Sequence, residues 1–157
     1  MFALCAVLIS CTGKKAETGA LKPRIVVMTD IGPSEVEPDD NESAVRLLAY
    51  ADRFEIEGII TTIGWNCDPY PKDWAVYLTR VIDAYKTDVQ NLMKRSGQKM
   101  HKSIEQENDR QELGYWPSYE HISSRAMMGS TRAGIGVIGP DNDSPGSRLL
   151  IQLADED

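Results

Sequence analysis

The patterned part of the chain begins with a short apolar run and continues with an amphipathic segment. Residues 24–29, RIVVMT, combine β-branched and apolar side chains, which predicts a strand covered on both faces. The following segment keeps apolar side chains at helical spacing. They are Ala44, Leu47, Leu48 and Ala51. Residues 54–63, FEIEGIITTI, then predict a second strand, so the order is that of a βαβ unit with two parallel neighbouring strands.

The next part of the chain predicts a long helix and a shorter one. Asp73 can cap a helix that runs to about residue 95 and ends before Gly97. Residues 98–114 are polar and charged, which predicts an excursion over the surface. A short helix is expected after Pro117.

The last part of the chain has a glycine-rich loop and a final amphipathic helix. Residues 129–146, GSTRAGIGVIGPDNDSPG, predict a long loop, and residues 147–154, SRLLIQLA, predict the opening of a helix. A two-stranded parallel sheet is a poor core on its own, so a third strand is expected after that helix. We therefore interpret the chain as a fragment of a longer α/β protein with a Rossmann-like open sheet of parallel strands.

Charge and hydropathy limit the classes of function. The 157 residues have a formal net charge of −7 and a sequence pI near 4.9. This balance argues against DNA or RNA as a partner, because phosphate binding needs a basic surface. No apolar run in the sequence is long enough to span a bilayer as a helix.

The amino terminus has the pattern of an export signal. The stretch MFALCAVLISC is apolar up to Cys11, and a small, polar segment follows it to residue 22. The tetrad that ends at Cys11 resembles a bacterial lipobox, which implies lipidation of this cysteine. We expect residues 1–22 to be a signal peptide, lipobox and tether, and residues 23–157 to be the domain; a buried first strand is the alternative. The prediction is a periplasmic or cell-surface lipoprotein that reaches a membrane only through its lipid anchor.

Acidic and amide side chains follow the two predicted strands. Asp30 comes directly after the first strand, Asp39 and Asp40 precede the helix, and Asn66 follows the second strand. Parallel neighbours place these positions at the same edge of the sheet, where ligands bind in open α/β folds. Calcium prefers carboxylate, carbonyl and water oxygens, so the set predicts a calcium site. For Asp39 or Asp40 taken singly, an N-cap of the helix is an equal alternative.

Two other motifs and an aromatic group are weaker indications. GIGVIG at 134–139 lacks the strand and helix that a dinucleotide site needs, and DNDSPG at 141–146 lacks the acidic twelfth residue of an EF-hand. Both are expected to be turns. Trp65, Tyr70 and Trp74 surround a proline-rich loop, where core packing is the default role and stacking on a sugar or base the alternative.

The stretch from VVMTDIG through EPDDNES to ITTIGWN resembles the start of the nucleoside hydrolase superfamily. It is most similar to the nucleoside hydrolase-like branch found in secreted bacterial proteins, and WPSYEHISSR and DNDSPGSRLLIQLADED are also similar to that branch. The family motif is Asp-x-Asp-Pro-Gly-x-Asp-Asp. Here Met28 stands where the first motif aspartate belongs, and the loop before Asp39 is longer.

The resemblance implies a role for each matching side chain. Asp30 matches the calcium ligand that also acts as the general base on the attacking water, and Asp40 matches a second calcium ligand. Asp39 matches an acid that contacts the ribose, and Asn66 matches an asparagine that helps to hold the sugar. The remaining family ligands belong to a later part of that fold, which this chain lacks.

The resemblance also implies a function for the longer parent protein. We expect calcium-assisted hydrolysis of a glycosidic bond of the family's N-ribosyl type, with a nucleoside or sugar as substrate and weak or no activity for this chain alone. The alternative is an extracellular carbohydrate-binding protein without catalysis. The pattern leaves the oligomeric state open.

Overall fold

The protein folds around a small parallel sheet. A computed structural model describes residues 19–36, 38–64, 69–99 and 111–156. The three strands within these ranges pair in the order β1-β2-β3, and both pairings are parallel. This arrangement is an open α/β sheet, as the sequence predicted.

The described part of the chain forms three strands and four α-helices, and two of the helices follow each other between the second and third strands. The strands are β1 (Arg24–Thr29), β2 (Glu55–Thr61) and β3 (Ala126–Met128). The α-helices are α1 (Pro38–Ala49), α2 (Ala75–Ser96), α3 (Tyr119–Ser124) and α4 (Pro145–Asp155). Short 3₁₀ turns lie at Lys72–Trp74, Ile135–Val137 and Pro140–Asn142.

The predicted βαβ unit is confirmed. β1 and β2 pair in parallel from Arg24 opposite Glu55 to Thr29 opposite Thr61, with an irregularity of register after Ile25. Every residue of β2 is buried, because helices pack against its faces, β1 pairs along one edge and β3 pairs with its last three residues. A strand buried in this way is the centre of the structure.

The position of the third strand differs from the prediction. A third strand was expected after the last helix, whereas β3 lies before α4 and pairs with β2. β3 has only three residues, and all of them are half-buried. A run this short carries no periodicity, so the pairing with β2 and not the local sequence makes Ala126–Met128 a strand.

One face of the sheet is covered by α1, α2 and α3, and most of the apolar core lies there. The apolar stripe of α1 faces this core, with Leu48 buried and Ala44 and Leu47 partly buried against it, and Ala51 is buried in the turn that follows α1. The side of α2 that faces the core contributes further buried residues. They are Leu78, Ile82, Tyr85, Val89 and Met93.

The ends of α2 agree with the sequence at one terminus and not at the other. The expected stop is confirmed, because Gly97 has a φ of 76° and its N–H bonds to the carbonyl groups of Lys94 and Met93. The expected cap at Asp73 is wrong. A 3₁₀ turn precedes α2, Asp73 lies within that turn, and the N-cap position is Trp74, which makes no side-chain cap. The turn takes over the role of the cap by leading the backbone into the helix.

The fourth helix covers the opposite face of the sheet. Ser144 and Ser147 form a reciprocal capping box at the start of α4. The first turn lies so close to the sheet that a Cβ at Gly146 would stand 2.5 Å from Ile60 Cγ2. At the other end of α4, Glu156 lies 3.8 Å from Arg24 at the start of β1. The helix therefore runs from the carboxyl ends of β2 and β3 back toward the start of β1.

A buried polar network closes the sheet at the amino ends of its strands. Lys22 is 1% exposed, and its ammonium donates to the carbonyl of Ala51 and to Gln111 Oε1, both at 2.7 Å. The Gln111 amide nitrogen lies 3.2 Å from His121 Nε2. Burial lowers the pKa of Lys22 to about 8, although the nearby acids Asp52 and Glu55 act in the other direction.

The same network holds His121 in its neutral form. Burial, with a contribution from the charge of Arg125, lowers the pKa of His121 to about 4. The ring donates to the carbonyl of Ile56, which leaves Nε2 as the acceptor for Gln111. A second proton on the ring, at Nε2, would place this N–H donor against the amide N–H donor of Gln111.

The first prediction concerns the pH dependence of stability. The pKa of His121 is lower in the folded state than its ordinary value of 6.5, so the unfolded chain binds more protons between these values and stability falls as the pH drops through this window. Between pH 7 and pH 5 the wild type should lose about 1–2 kcal/mol more than His121→Gln, which cannot take up the proton. Urea unfolding of both proteins at the two pH values measures the difference.

Candidate functional site

The candidate site lies at the edge of the sheet where the parallel strands end. This carboxyl edge is formed by Asp30 after β1, Thr62 after β2 and Gly129 after β3. Two backbone hydrogen bonds of 2.8 Å align it, from Thr62 N–H to the Thr29 carbonyl and from Gly129 N–H to the Thr61 carbonyl. The ends of the three strands therefore lie side by side, and the residues that follow them begin at the same edge of the sheet.

The hydroxyl of Thr29 connects the end of β1 to the start of α1. Thr29 Oγ1 donates to Asp40 Oδ2 at 2.7 Å and accepts from the Ile31 N–H at 3.2 Å. The first bond fixes one carboxylate oxygen of Asp40, and the second fixes the turn that carries Asp30. One side chain thus places both acids.

Asp30 and Asp40 meet directly. Their carboxyl groups lie within interaction distance of each other, and Asp40 also accepts from the Thr29 hydroxyl group. Burial is the largest cause that raises the pKa of Asp30, followed by the contact with the Asp40 side chain and by the negative charges of Asp40 and Asp39. The predicted convergence of Asp30 and Asp40 is therefore present in the structure.

Asp39 and Asp40 lie inside the first turn of α1. The helix begins at Pro38, a residue favoured at the first helical position, so neither acid occupies the position before the helix. Asp39 is exposed, whereas Asp40 is half-buried and turned toward β1. Both carboxylates gain from the partial positive charge at this end of the helix, and they point an acidic surface at the carboxyl edge.

Gly64 makes room for the Asp30 carboxyl group. An ideal Cβ at residue 64 would overlap Asp30 Oδ2 and would lie 2.8 Å from its Cγ. The segment after β2 therefore packs its backbone directly against the carboxyl group that follows β1. This backbone contact restricts the position of the Asp30 carboxyl group without a further polar side chain.

The aromatic residues of this region have packing roles. Tyr70 is 2% exposed, so its ring has no free face for a sugar, and the expectation of packing holds for it. Trp74 is half-buried and meets Tyr70 edge to face, with ring centroids 5.9 Å apart. Trp65 and Asn66 lie outside the described residues, as does Cys11, and their predicted roles stay predictions.

The acids have the oxygen ligands that calcium prefers, but they supply too few of them for a complete calcium site. Asp30 and Asp40 offer hard carboxylate oxygens at one point, whereas calcium takes about six to eight oxygen ligands. Across the described ranges, no group of three or more His, Cys, Asp or Glu side chains is arranged to hold a metal ion. The two acids would supply part of a calcium shell and would need further oxygens to complete it.

Three residues of the site were not among the predicted site residues. Thr29 and Gly64 position the acids, and Tyr70 was considered only for packing or stacking. A hydroxyl residue directly before an acid at a strand end is a usable signal, as in Thr29-Asp30. Nothing in the local sequence marks Gly64, because its role follows from a contact between two separate loops.

These features define a class of protein. The chain is an α/β protein with a parallel open sheet and an acidic site at the carboxyl ends of its strands. It belongs to the family described as "Cellulose-binding Sde182, nucleoside hydrolase-like domain", whose sequence model matches residues 24–157. The predicted resemblance to nucleoside hydrolase-like domains is confirmed.

A solved structure supports the same fold. The chain is similar to a nucleoside hydrolase-related hypothetical protein from Saccharophagus degradans that is associated with carbohydrate metabolism. The identity is 31% and the TM-score 0.63, over 87% of this chain and 28% of that protein. No curated protein matches the sequence. Within the described residues, no helix has the length and hydropathy to cross a bilayer.

The second prediction tests the contact between Gly64 and Asp30. Gly64→Ala should cost roughly 1–3 kcal/mol of unfolding free energy, because the new methyl group displaces the Asp30 carboxyl group or the loop. In an Asp30→Ala background the same change should cost less than half as much. Urea unfolding of the four proteins in this cycle measures the coupling.

A matched glycine serves as the control for this cycle. Gly136 has open space around the Cβ position and no positive φ, so Gly136→Ala should stay within about 0.5 kcal/mol of wild type. Equal costs for Gly64→Ala with and without the Asp30 carboxyl group would show that the clash lies elsewhere.

Proposed function

We propose that this domain binds carbohydrate at the carboxyl edge, through the acids Asp30, Asp39 and Asp40. The observation that carries the proposal is the meeting of Asp30 and Asp40 at the end of β1, with Asp39 exposed beside them. Within the described part of the chain, no Lys or Arg forms an ion pair with these acids, so their oxygens face no fixed cation.

Carboxylates suit sugars because neighbouring hydroxyl groups can donate to both oxygens. A hydrogen bond from a hydroxyl group to a carboxylate is shorter and stronger than one between neutral groups. The description of the family as cellulose-binding and the association of the similar protein with carbohydrate metabolism support the same ligand class. Asn66 follows Gly64 closely in the sequence and is proposed as a further sugar contact.

A second candidate is the calcium-assisted hydrolysis of a glycosidic bond, of the N-ribosyl type. The contact of Asp30 with Asp40 favours it, because burial and the neighbouring acids raise the pKa of Asp30, and a carboxyl group with a raised pKa is suited to proton transfer. Asp30 is proposed as the general base and, with Asp40, as a ligand of the ion. Bound calcium would supply a charge that lowers the pKa of a coordinated water molecule.

The proposal of hydrolysis concerns a longer protein. This chain spans 28% of the similar protein, so further oxygen ligands and sugar contacts have room elsewhere in that fold. For the chain alone we expect sugar binding with weak or no turnover. Export and lipidation at Cys11 are part of the same proposal, because an extracellular location gives access to polysaccharide.

The third prediction tests the acidic site by titration calorimetry with cellohexaose and with ribose, in calcium and in a chelator. Asp40→Asn should weaken binding of the preferred sugar roughly 10- to 100-fold, the effect of losing a charged hydrogen bond. Asp88→Asn is the matched control. Asp88 is an exposed acid of α2. It lines a groove together with Ala49, which lies at the end of α1 opposite to Asp40.

The outcomes separate the two candidate functions. Binding that needs Asp40, persists in the chelator and occurs without release of a product supports the carbohydrate-binding function. Calcium-dependent release of a free sugar, lost in Asp30→Asn, supports hydrolysis instead. No binding of either sugar by the wild type, or equal losses in the Asp40 and Asp88 variants, would refute the proposed site.

A further inference from the structure

Tyr70 joins two loops of the carboxyl edge. Its hydroxyl group donates to the Ile31 carbonyl at 2.7 Å, and its backbone N–H donates to the Thr131 carbonyl at 2.7 Å. Ile31 directly follows Asp30, and Thr131 lies in the glycine-rich loop, residues 130–143, after β3. Tyr70 therefore connects the turn after β1 to the loop after β3 through two hydrogen bonds.

The hydrogen bond to Ile31 lies in the interior. Tyr70 is 2% exposed and Ile31 is fully buried, so solvent water cannot reach the two groups to replace their hydrogen bond. A buried carbonyl left without its donor carries a desolvation penalty, which makes this bond more important than one at the surface. The edge-to-face contact with Trp74 restricts the ring and keeps the hydroxyl group in place.

The glycine-rich loop depends on its anchors. Between residues 130 and 143 the loop packs little of its own apolar surface, since Ile135 is 89% and Ile138 75% exposed. Segments with few buried apolar contacts open at low free-energy cost unless hydrogen bonds hold them. One anchor is the bond from Tyr70 to Thr131, and the other is the capping box at Ser144.

We propose that Tyr70 is a positioning residue that fixes the glycine-rich loop, residues 130–143, relative to the turn that carries Asp30. The function of this connection rests on the proposed carbohydrate site: the loop forms a wall of the site only where it is held next to the acids. Tyr70 acts through the two loops and does not itself touch the ligand, because its ring is buried.

The test compares two tyrosines that match in burial and in chemistry. Tyr85 is also 2% exposed, and its hydroxyl group donates to the Pro117 carbonyl at 2.8 Å, away from the carboxyl edge. Tyr70→Phe and Tyr85→Phe each remove one buried hydroxyl group and keep the ring. Amide hydrogen exchange, resolved by residue, is measured for both variants, together with cellohexaose binding.

Tyr70→Phe should speed exchange roughly 2- to 10-fold at residues 31–32 and 131–138, the effect of one lost hydrogen bond, and should weaken cellohexaose binding. Tyr85→Phe should leave these segments unchanged. Equal exchange in the two variants would overturn the proposal. Faster exchange with unchanged affinity, in a protein whose wild type binds cellohexaose, would also overturn it.

The two hypotheses fail in different ways. A wild type that binds no sugar refutes the proposed function, and the exchange pattern still decides whether Tyr70 holds the loop. Amide hydrogen exchange of the wild type alone is a second test, which does not depend on the folding of a variant. The Tyr70 amide should exchange as slowly as the amides of β2; exchange as fast as that of exposed amides would refute the connection to Thr131.

Discussion

The burial of β2 is the constraint on which the rest of the structure depends. All seven of its residues are buried under helices on both faces; β1 pairs with it from Glu55 to Thr61, and β3 pairs with its last three residues. The backbone groups of such a strand must find partners, because an unpaired backbone group in the interior costs as much as a lost hydrogen bond. Parallel pairing then brings the ends of the three strands to one edge. The acids meet there as a consequence of topology and not of their spacing in the sequence.

The site adds small and precise contacts to this frame. The Thr29 hydroxyl group donates to Asp40, the Asp40 side chain lies next to that of Asp30, and the absent side chain of Gly64 leaves room for the Asp30 carboxyl group. Each contact joins segments that are distant in the sequence. The result is an acidic pair whose members are each held by a packed or hydrogen-bonded neighbour, and such preorganisation lowers the entropic cost of binding a polar ligand.

Sequence patterns predicted the parts of the fold that have a clear period. β1, α1, β2 and the end of α2 at Gly97 agree with the structure, because hydrophobic spacing and terminal glycine are local signals. β3 was missed, since three residues carry no period, and the cap at Asp73 was wrong, since a preceding turn starts the helix. The meeting of Asp30 with Asp40 was predictable from parallel topology. The contacts of Gly64 and Tyr70 were not, because they arise between loops whose paths no local pattern determines.

The longer loop between Asp30 and Asp39, compared with the nucleoside hydrolase motif, bears on what the site can do. The loop does not separate the acids, because Thr29 and the first turn of α1 bring Asp40 back to the end of β1. The geometry therefore permits a mechanism that uses both acids. Met28, however, stands in place of the first acid of the motif, and it is 60% exposed. Losing that acid removes one negative charge from the edge. The change weakens the attraction for a divalent cation more than that for neutral sugar hydroxyl groups, which favours binding over calcium-dependent chemistry.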